Sequence, residues 1–331
     1  MSFQFENFRD NWLTHTDILN FYAKEIEYTM NLGDEFFRSL SFDSSTLRQY
    51  RIDAAIAASK TLGENPVLCF SGGIDSQAML QCWKEAGLSF DVAILRFESD
   101  LNKQDMQTAR EFCEANDINP VYIDLDVVRF LTRESADFSE QYKCTSPHFV
   151  THYKMFDMLR ELGYTGICCG GTAFAKGNDE WGPSPSAAQA NYIEYSRQNQ
   201  YPIIGNFLGY DPKLCWTIAL LTPSADVVWN TPYPIPVNEI NQTRYLSKIV
   251  GYRNHGFSII PQKTKYTGFE LVKDYFAEKY NDGWAFEKLF RLPYQKKYGA
   301  AAGTLKLTPD QESNLSLIYN KNFPSSSASP T

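Results

Sequence analysis

The chain has 331 residues, 43% hydrophobic and 21% charged, enough to bury a large core as one big domain or two smaller ones. Thirty-one basic against 39 acidic residues leave a net charge of −8, which argues against a protein whose main task is gripping a nucleic-acid backbone, though not against a local basic groove. The sequence shows no run of eighteen apolar residues and no basic-then-apolar leader, so neither a membrane span nor a secretion signal is expected.

In chain order, residues 1–62 read as a helical segment. Apolar residues recur at spacings of three and four from Asp17 to Leu32 and from Ser45 to Leu62, with Asp43-Ser44-Ser45 as a cap. From Asn65 strands and helices alternate. Strands are expected at 66–70, 90–97, 120–124 and 164–169, and helices at 75–87, 103–116, 127–138 and 147–162. That alternation implies a parallel sheet covered on both faces. Residues 173–214, rich in Gly, Pro, Asn and Ser, read as a long functional loop with a short helix around Ala187–Arg197. Further helices are expected at 214–221, 237–252, 268–279 and 284–298. The proline-punctuated stretch Thr231–Pro236 interrupts them, and Phe323–Thr331 reads as a disordered tail.

The most informative residues are Ser71-Gly72-Gly73-Ile74-Asp75-Ser76, between an apolar strand and an amphipathic helix. A strand, a glycine turn and a helix N-terminus point backbone amides and a helix dipole at one spot, which suits a phosphate. The two glycines admit a sharp turn and leave no Cβ in a ligand's way. Ser71 and Ser76 add hydroxyls, and Asp75 adds the hard oxygen that Mg²⁺ favours beside a polyphosphate. Neither G-x-x-x-x-G-K-[ST] nor G-x-G-x-x-G opens this helix. The six residues resemble the S-G-G-x-D-S signature of the PP-loop superfamily, the N-type ATP pyrophosphatases. Its five fixed positions arise by chance in a chain this long with odds on the order of 10⁻³.

The resemblance is firm at 65–87 and extends to about residue 180. It implies an α/β fold: a parallel-sheet, Rossmann-like PP-loop domain (adenine nucleotide alpha hydrolase-like) at 63–235. A helical segment at 1–62, a helical region at 236–320 and a tail at 321–331 flank it. It also implies ATP and Mg²⁺ as cofactors. ATP would be cleaved between the α and β phosphates, the substrate adenylated, pyrophosphate released into the 71–76 loop, and AMP displaced by ammonia, an amine or sulfide. Arg96 and Phe97, after the second strand, stand where such proteins line the adenine pocket with main chain. Gly170, Gly171 and Thr172, after the fourth, would let a nucleotide approach the backbone; a plain turn would use the same glycines. Gly177-Asn178-Asp179-Glu180 resembles the G-x-G-x-D-E element of asparagine-synthetase-type enzymes, with Ala175 in place of its first glycine, and makes Asp179 a second magnesium ligand beside Asp75. Lys263 and Lys265 match, as a pair, the late-loop lysine that neutralises transition-state charge in those enzymes.

Several branches of the superfamily fit less well. Ser2 follows Met1 where glutamine-dependent asparagine synthetases carry cysteine, and sixty residues cannot hold a glutaminase domain, so ammonia would be free or brought by a separate donor protein. The seven cysteines are odd in number, lack C-x-x-C spacing, and fit a reducing cytoplasm without structural zinc. The best reading is an amide- or amidine-forming ligase acting on a small molecule. Two alternatives stay open: a sulfur-transfer or sulfonucleotide-reductase relative, which needs Cys144 exposed and reactive, and a non-catalytic nucleotide-binding module of a larger assembly. His148 and His152, one turn apart, could hold a metal, but without a third ligand packing is the expected role.

Overall fold

A computed structural model of the chain describes residues 8–15, 26–171, 175–176, 181–182, 186–224, 240–261, 268–298 and 303–323. The strands are β1 (Leu13–His15), β2 (Ile26–Met30), β3 (Pro66–Cys69), β4 (Asp91–Phe97), β5 (Val121–Leu125), β6 (Gly166–Cys169), β7 (Ala175–Lys176), β8 (Trp181–Gly182), β9 (Ile203–Ile204) and β10 (Gly303–Lys306). The helices are α1 (Asp34–Arg38), α2 (Ser44–Leu62), α3 (Ile74–Glu85), α4 (Lys103–Ala115), α5 (Val127–Arg133), α6 (Ser135–Tyr142), α7 (Pro147–Glu161), α8 (Ser186–Asn199), α9 (Pro212–Leu221), α10 (Ile240–Asn254), α11 (Glu270–Tyr280), α12 (Leu292–Tyr298) and α13 (Pro309–Asn322).

The central sheet is parallel, with order β5-β4-β3-β6-β9. Its strands run 1-2-3 towards one edge and then cross to 4-5 on the other. The order therefore reverses between β3 and β6, the place where open α/β sheets bind ligands. Val67, Leu68, Ile167 and Cys168 on the two middle strands are all buried, as strands covered by helices on both faces require. The expected α/β parallel-sheet fold is the fold observed. β9 alone among these strands was not foreseen, since its two residues lie inside the stretch read as a loop.

The first 62 residues differ from expectation. α2 forms where the periodicity placed it, and the Asp43 carboxylate accepts the Thr46 amide at 2.9 Å as its cap. The helix expected over 17–32, however, is at 26–30 the strand β2. It pairs antiparallel with β1 (Leu13↔Met30) and parallel with β10 (Gly303↔Ile26). Ile26-Glu27-Tyr28-Thr29-Met30 does alternate apolar and polar, as a strand with one face on the core requires, but five residues are outweighed by the three-and-four spacing read over 17–32. Trp12, Tyr28 and Met30 then share one core with Met79 and Trp83 of α3, Leu214 of α9 and Leu315 of α13. The Arg9 guanidinium donates to Asp211 at 2.6 Å, and the Trp12 indole donates to the Tyr210 carbonyl at 3.0 Å. These bonds tie the first described residues to the start of α9, and the core they join also holds α3, the helix that presents the Ser71–Ser76 turn.

Candidate active site

At the carboxyl ends of β3, β4 and β6 the structure opens a cavity of about 330 Å³. The Ser71–Ser76 turn forms one wall. Gly72 adopts φ +75°, and a Cβ there would lie 2.7 Å from the Ala109 amide of α4. Glycine is needed both for the turn and for the contact. Gly73 caps α3 without a side chain, and the first intrahelical bond runs from the Gln77 amide to the Gly73 carbonyl. The amides of Ile74, Asp75 and Ser76 precede that bond, the arrangement that makes a helix start attractive to an anion. The Ser76 hydroxyl donates back to Gly73 O at 2.8 Å, holding the turn in shape.

Of the residues singled out from sequence, Ser71, Asp75, Ser76, Phe97, His152, Gly170 and Gly171 line the cavity. Ile74 turns inward to the core. Gly170 meets the start of α3 closely: a Cβ would lie 2.8 Å from the Ser76 amide and 2.9 Å from the Asp75 carbonyl carbon. The Arg96 side chain points elsewhere. It holds Asp124 of β5 with two hydrogen bonds, one of 2.7 Å, and stacks over Tyr122 on the open face. Thr172, Asp179, Lys263 and Lys265 lie outside the described residues.

Asp75 is engaged by two side chains that sequence reading did not select. Lys248 Nζ donates to one carboxylate oxygen at 2.7 Å and the Tyr252 hydroxyl donates to the other. Both sit one turn apart on α10, so a single helix face delivers a cation and a phenol to the carboxylate. Burial, with the adjacent carboxylate, pushes the Tyr252 phenol well up, which keeps it a donor. The chain beyond α10 is then tied to the turn by two amides. Gln77, fully buried, donates to Gly72 O and to Ile260 O, both at 2.9 Å, and accepts the Ile260 amide at 2.9 Å. Gln81 does the same for Ser258, donating at 2.8 Å and accepting at 2.9 Å. In sequence Lys263 and Lys265 fall between this clamp and Gly268, and Gly268 is part of the cavity lining.

The end of β4 also departs from a simple expectation. β3 turns off after the Phe70 amide bonds Ala93 O, leaving the β4 edge beyond without a strand partner on that side. The Asn102 amide takes it, accepting from the Phe97 amide and donating to Leu95 O, both at 2.9 Å. Main chain expected to meet adenine is thus already held by a side chain. Nearby, Asp105 faces the same cavity, and burial, with Glu270 adding to it, pushes its carboxyl up to about 6.

Cys144 is fully buried, with its thiol pushed up to about 12 by that burial, so the exposed reactive cysteine required by a sulfur-transfer reading through this residue is not there. His152 accepts from or donates to the Tyr192 hydroxyl at 2.6 Å, and His148 packs on Phe269 with ring centroids 4.1 Å apart. Burial depresses both, to about 4 and about 3, and no group of three or more metal-ligating side chains occurs among the described residues. His148 thus packs against Phe269, while His152 lines the cavity with Tyr192.

No family model matches the chain, and no curated protein matches it in sequence. Among solved structures it is similar to a predicted subunit of tRNA methyltransferase from Methanocaldococcus jannaschii, at 15% identity over 61% of this chain and 94% of that one, with a TM-score of 0.33. The U34-tRNA thiolase NcsA from Methanococcus maripaludis, with its [4Fe-4S] cluster, aligns at 13% identity over 81% and 82%, TM-score 0.32. The NH3-dependent NAD synthetase from Campylobacter jejuni aligns at 15% over 85% and 95%, TM-score 0.32. What the site can do is therefore read from its own residues.

Proposed function

We propose that the protein adenylates a small-molecule substrate with Mg·ATP, releases pyrophosphate, and passes the activated group to ammonia or an amine, as an AMP-forming amide or amidine ligase. The observation that carries this reading is Asp75: a carboxylate on the first turn of a glycine-capped helix, at the mouth of a cavity at the sheet's switch point, with a lysine and a phenol aimed at it. The amides of 74–76 and the serine hydroxyls would hold the departing pyrophosphate, and Lys248 would neutralise charge growing there in the transition state. Lys263 and Lys265 keep the same proposed role, supported by the tie of Ile260 to Gln77 before their segment and by the cavity-lining Gly268 after it.

The donor set suits magnesium that arrives with phosphates. Asp75 offers hard oxygen, and Mg²⁺ commonly takes one or two carboxylates and completes its shell with phosphate and water. Asp179 would be the second carboxylate. When bound, the ion would draw charge from the phosphate oxygens. Lys248 would then move from the carboxylate towards the phosphates, so the ion pair seen here is a resting arrangement. Such chemistry rests on positioning and electrostatics, which fits a site with few reactive side chains.

The test is ATP labelled on the α-phosphate, incubated with Mg²⁺ and a small-molecule extract. AMP formed by the wild type and not by Asp75→Ala supports the reading. ADP, or AMP formed equally by both, overturns it.

A further inference from the structure

Cys69 ends β3 and Cys169 ends β6, and the two are direct register partners across the pair of strands that flank the switch point. Register partners on parallel strands point their side chains to the same face of the sheet. That face is the cavity floor, which both residues line. These are also the two partly accessible cysteines; the other five are buried. Their neighbours one step back, Leu68 and Cys168, are fully buried, so access begins at the strand ends.

We infer that Cys69 and Cys169 form a dithiol site for a soft, thiophilic centre, a metal or metalloid ion held through two sulfurs on the floor of this cavity. Thiolates select soft centres, and no third metal-ligating side chain completes a cluster here among the described residues. The site therefore suits a centre satisfied by two protein sulfurs rather than a tetrahedral protein-made zinc site. The neighbouring Cys169 thiol, with burial, pushes the Cys69 thiol well up, so the pair keeps its protons until a soft centre displaces them. Cys69 and Cys169 line the same cavity as Ser71 and Gly170, so an occupied dithiol site and a bound nucleotide compete for one space; that consequence rests on the nucleotide reading above.

Phenylarsine oxide probes the pair. Each thiol gives its proton to the arsenic-bound oxygen, which leaves as water, and two As–S bonds replace the As–O bond with no change of oxidation state. The expected result is one reversible adduct per folded chain by intact mass spectrometry, released by ethanedithiol. It is lost in Cys69→Ala and in Cys169→Ala and retained in Cys113→Ala. No adduct on the folded wild type, or an adduct surviving in either single variant, would overturn the site. If a variant fails to fold, alkylating wild type after denaturation, with and without the arsenical, should show Cys69 and Cys169 alone protected; protection of another pair overturns it equally. A second arm repeats the addition at an ATP concentration where binding is shown by calorimetry. The adduct should then form at least about tenfold more slowly, and an unchanged rate would overturn its placement under the nucleotide. If ATP does not bind at all, the nucleotide reading fails while the adduct result stands by itself.

Discussion

Two ion pairs stand at the ends of neighbouring strands. Lys248 meets Asp75 just past β3, and Arg96 meets Asp124 across β4 and β5, each with an N–O distance of 2.7 Å. By geometry the second is better, being bidentate and backed by the Tyr122 ring. By surroundings the first is the important one. The side chains of Lys248 and Asp75 are 21% and 27% exposed, those of Arg96 and Asp124 45% and 52%. Water screens the second pair, whereas in the first Asp75 lines a cavity, where its charge acts on whatever enters. Where a charge points, more than how well it is paired, separates a site from a surface.

The largest effect expected from breaking this contrast is at Asp75. Asp75→Ala should lower Mg·ATP turnover by at least about 100-fold, the scale of losing a transition-state electrostatic partner, with the fold retained because the residue sits on a turn rather than in the core. Steady-state kinetics and a circular dichroism melt check it; turnover within about threefold of wild type would remove Asp75 from the site. Lys248→Ala should follow at about 10- to 100-fold, falling on kcat more than on KM, if the lysine acts when charge develops. A rise in KM with kcat unchanged would make it a ground-state binding group instead. Tyr252→Phe should cost less than either, since Lys248 still meets the carboxylate.

These residues also mark how far the sequence could be read. The strand, turn and helix at 66–85 were legible because each element is local: an apolar run, two glycines and an amphipathic period within twenty residues. Asp75 came with them. Lys248 and Tyr252 did not, because a helix period shows that two residues share a face and not which distant loop that face will meet. The same applies to Gln77 and Gln81, whose amides pair with main chain near 260 and which read in sequence as polar residues on an amphipathic helix. β2 was misread for a different reason: its apolar–polar alternation from Ile26 to Met30 lasts only five residues inside a longer run with helical spacing. The cavity's far wall, with Asn102 closing the β4 edge, needed the sheet to be assembled before its meaning appeared.

Asp105 lies between the two ion pairs in character: it faces the cavity, yet burial and Glu270 raise its carboxyl to about 6 from an ordinary 3.8. The folded state then holds a proton that the unfolded chain has released, so stability falls as pH rises from about 4 to about 6 and the full penalty persists above. Asp105→Asn removes the titration. It should stabilise the protein at pH 7.5 by up to about 2–3 kcal/mol and have little effect at pH 3.5, where both states are protonated. Urea unfolding at the two pH values measures this directly; an equal effect at both would mean that shape, not charge, sets the cost.

The smallest effect belongs to Arg96, and it completes the contrast. Asp124 is held below the ordinary carboxylate range chiefly by its hydrogen bond to Arg96, so what the pair contributes is present above that range and lost as acid protonates Asp124. At neutral pH both side chains are largely in water, and salt screens them further. Arg96→Ala should therefore leave kcat and KM for ATP unchanged within about twofold. Any melting difference from wild type should shrink further in 0.5 M salt, about five-fold above the ionic strength at which the screening length is ~10 Å. A several-fold rise in KM would mean that Arg96 swings from Asp124 to the nucleotide. Exposure would then fail as the criterion that separates these two pairs, and the cavity would have to be extended along the β4 edge to include it.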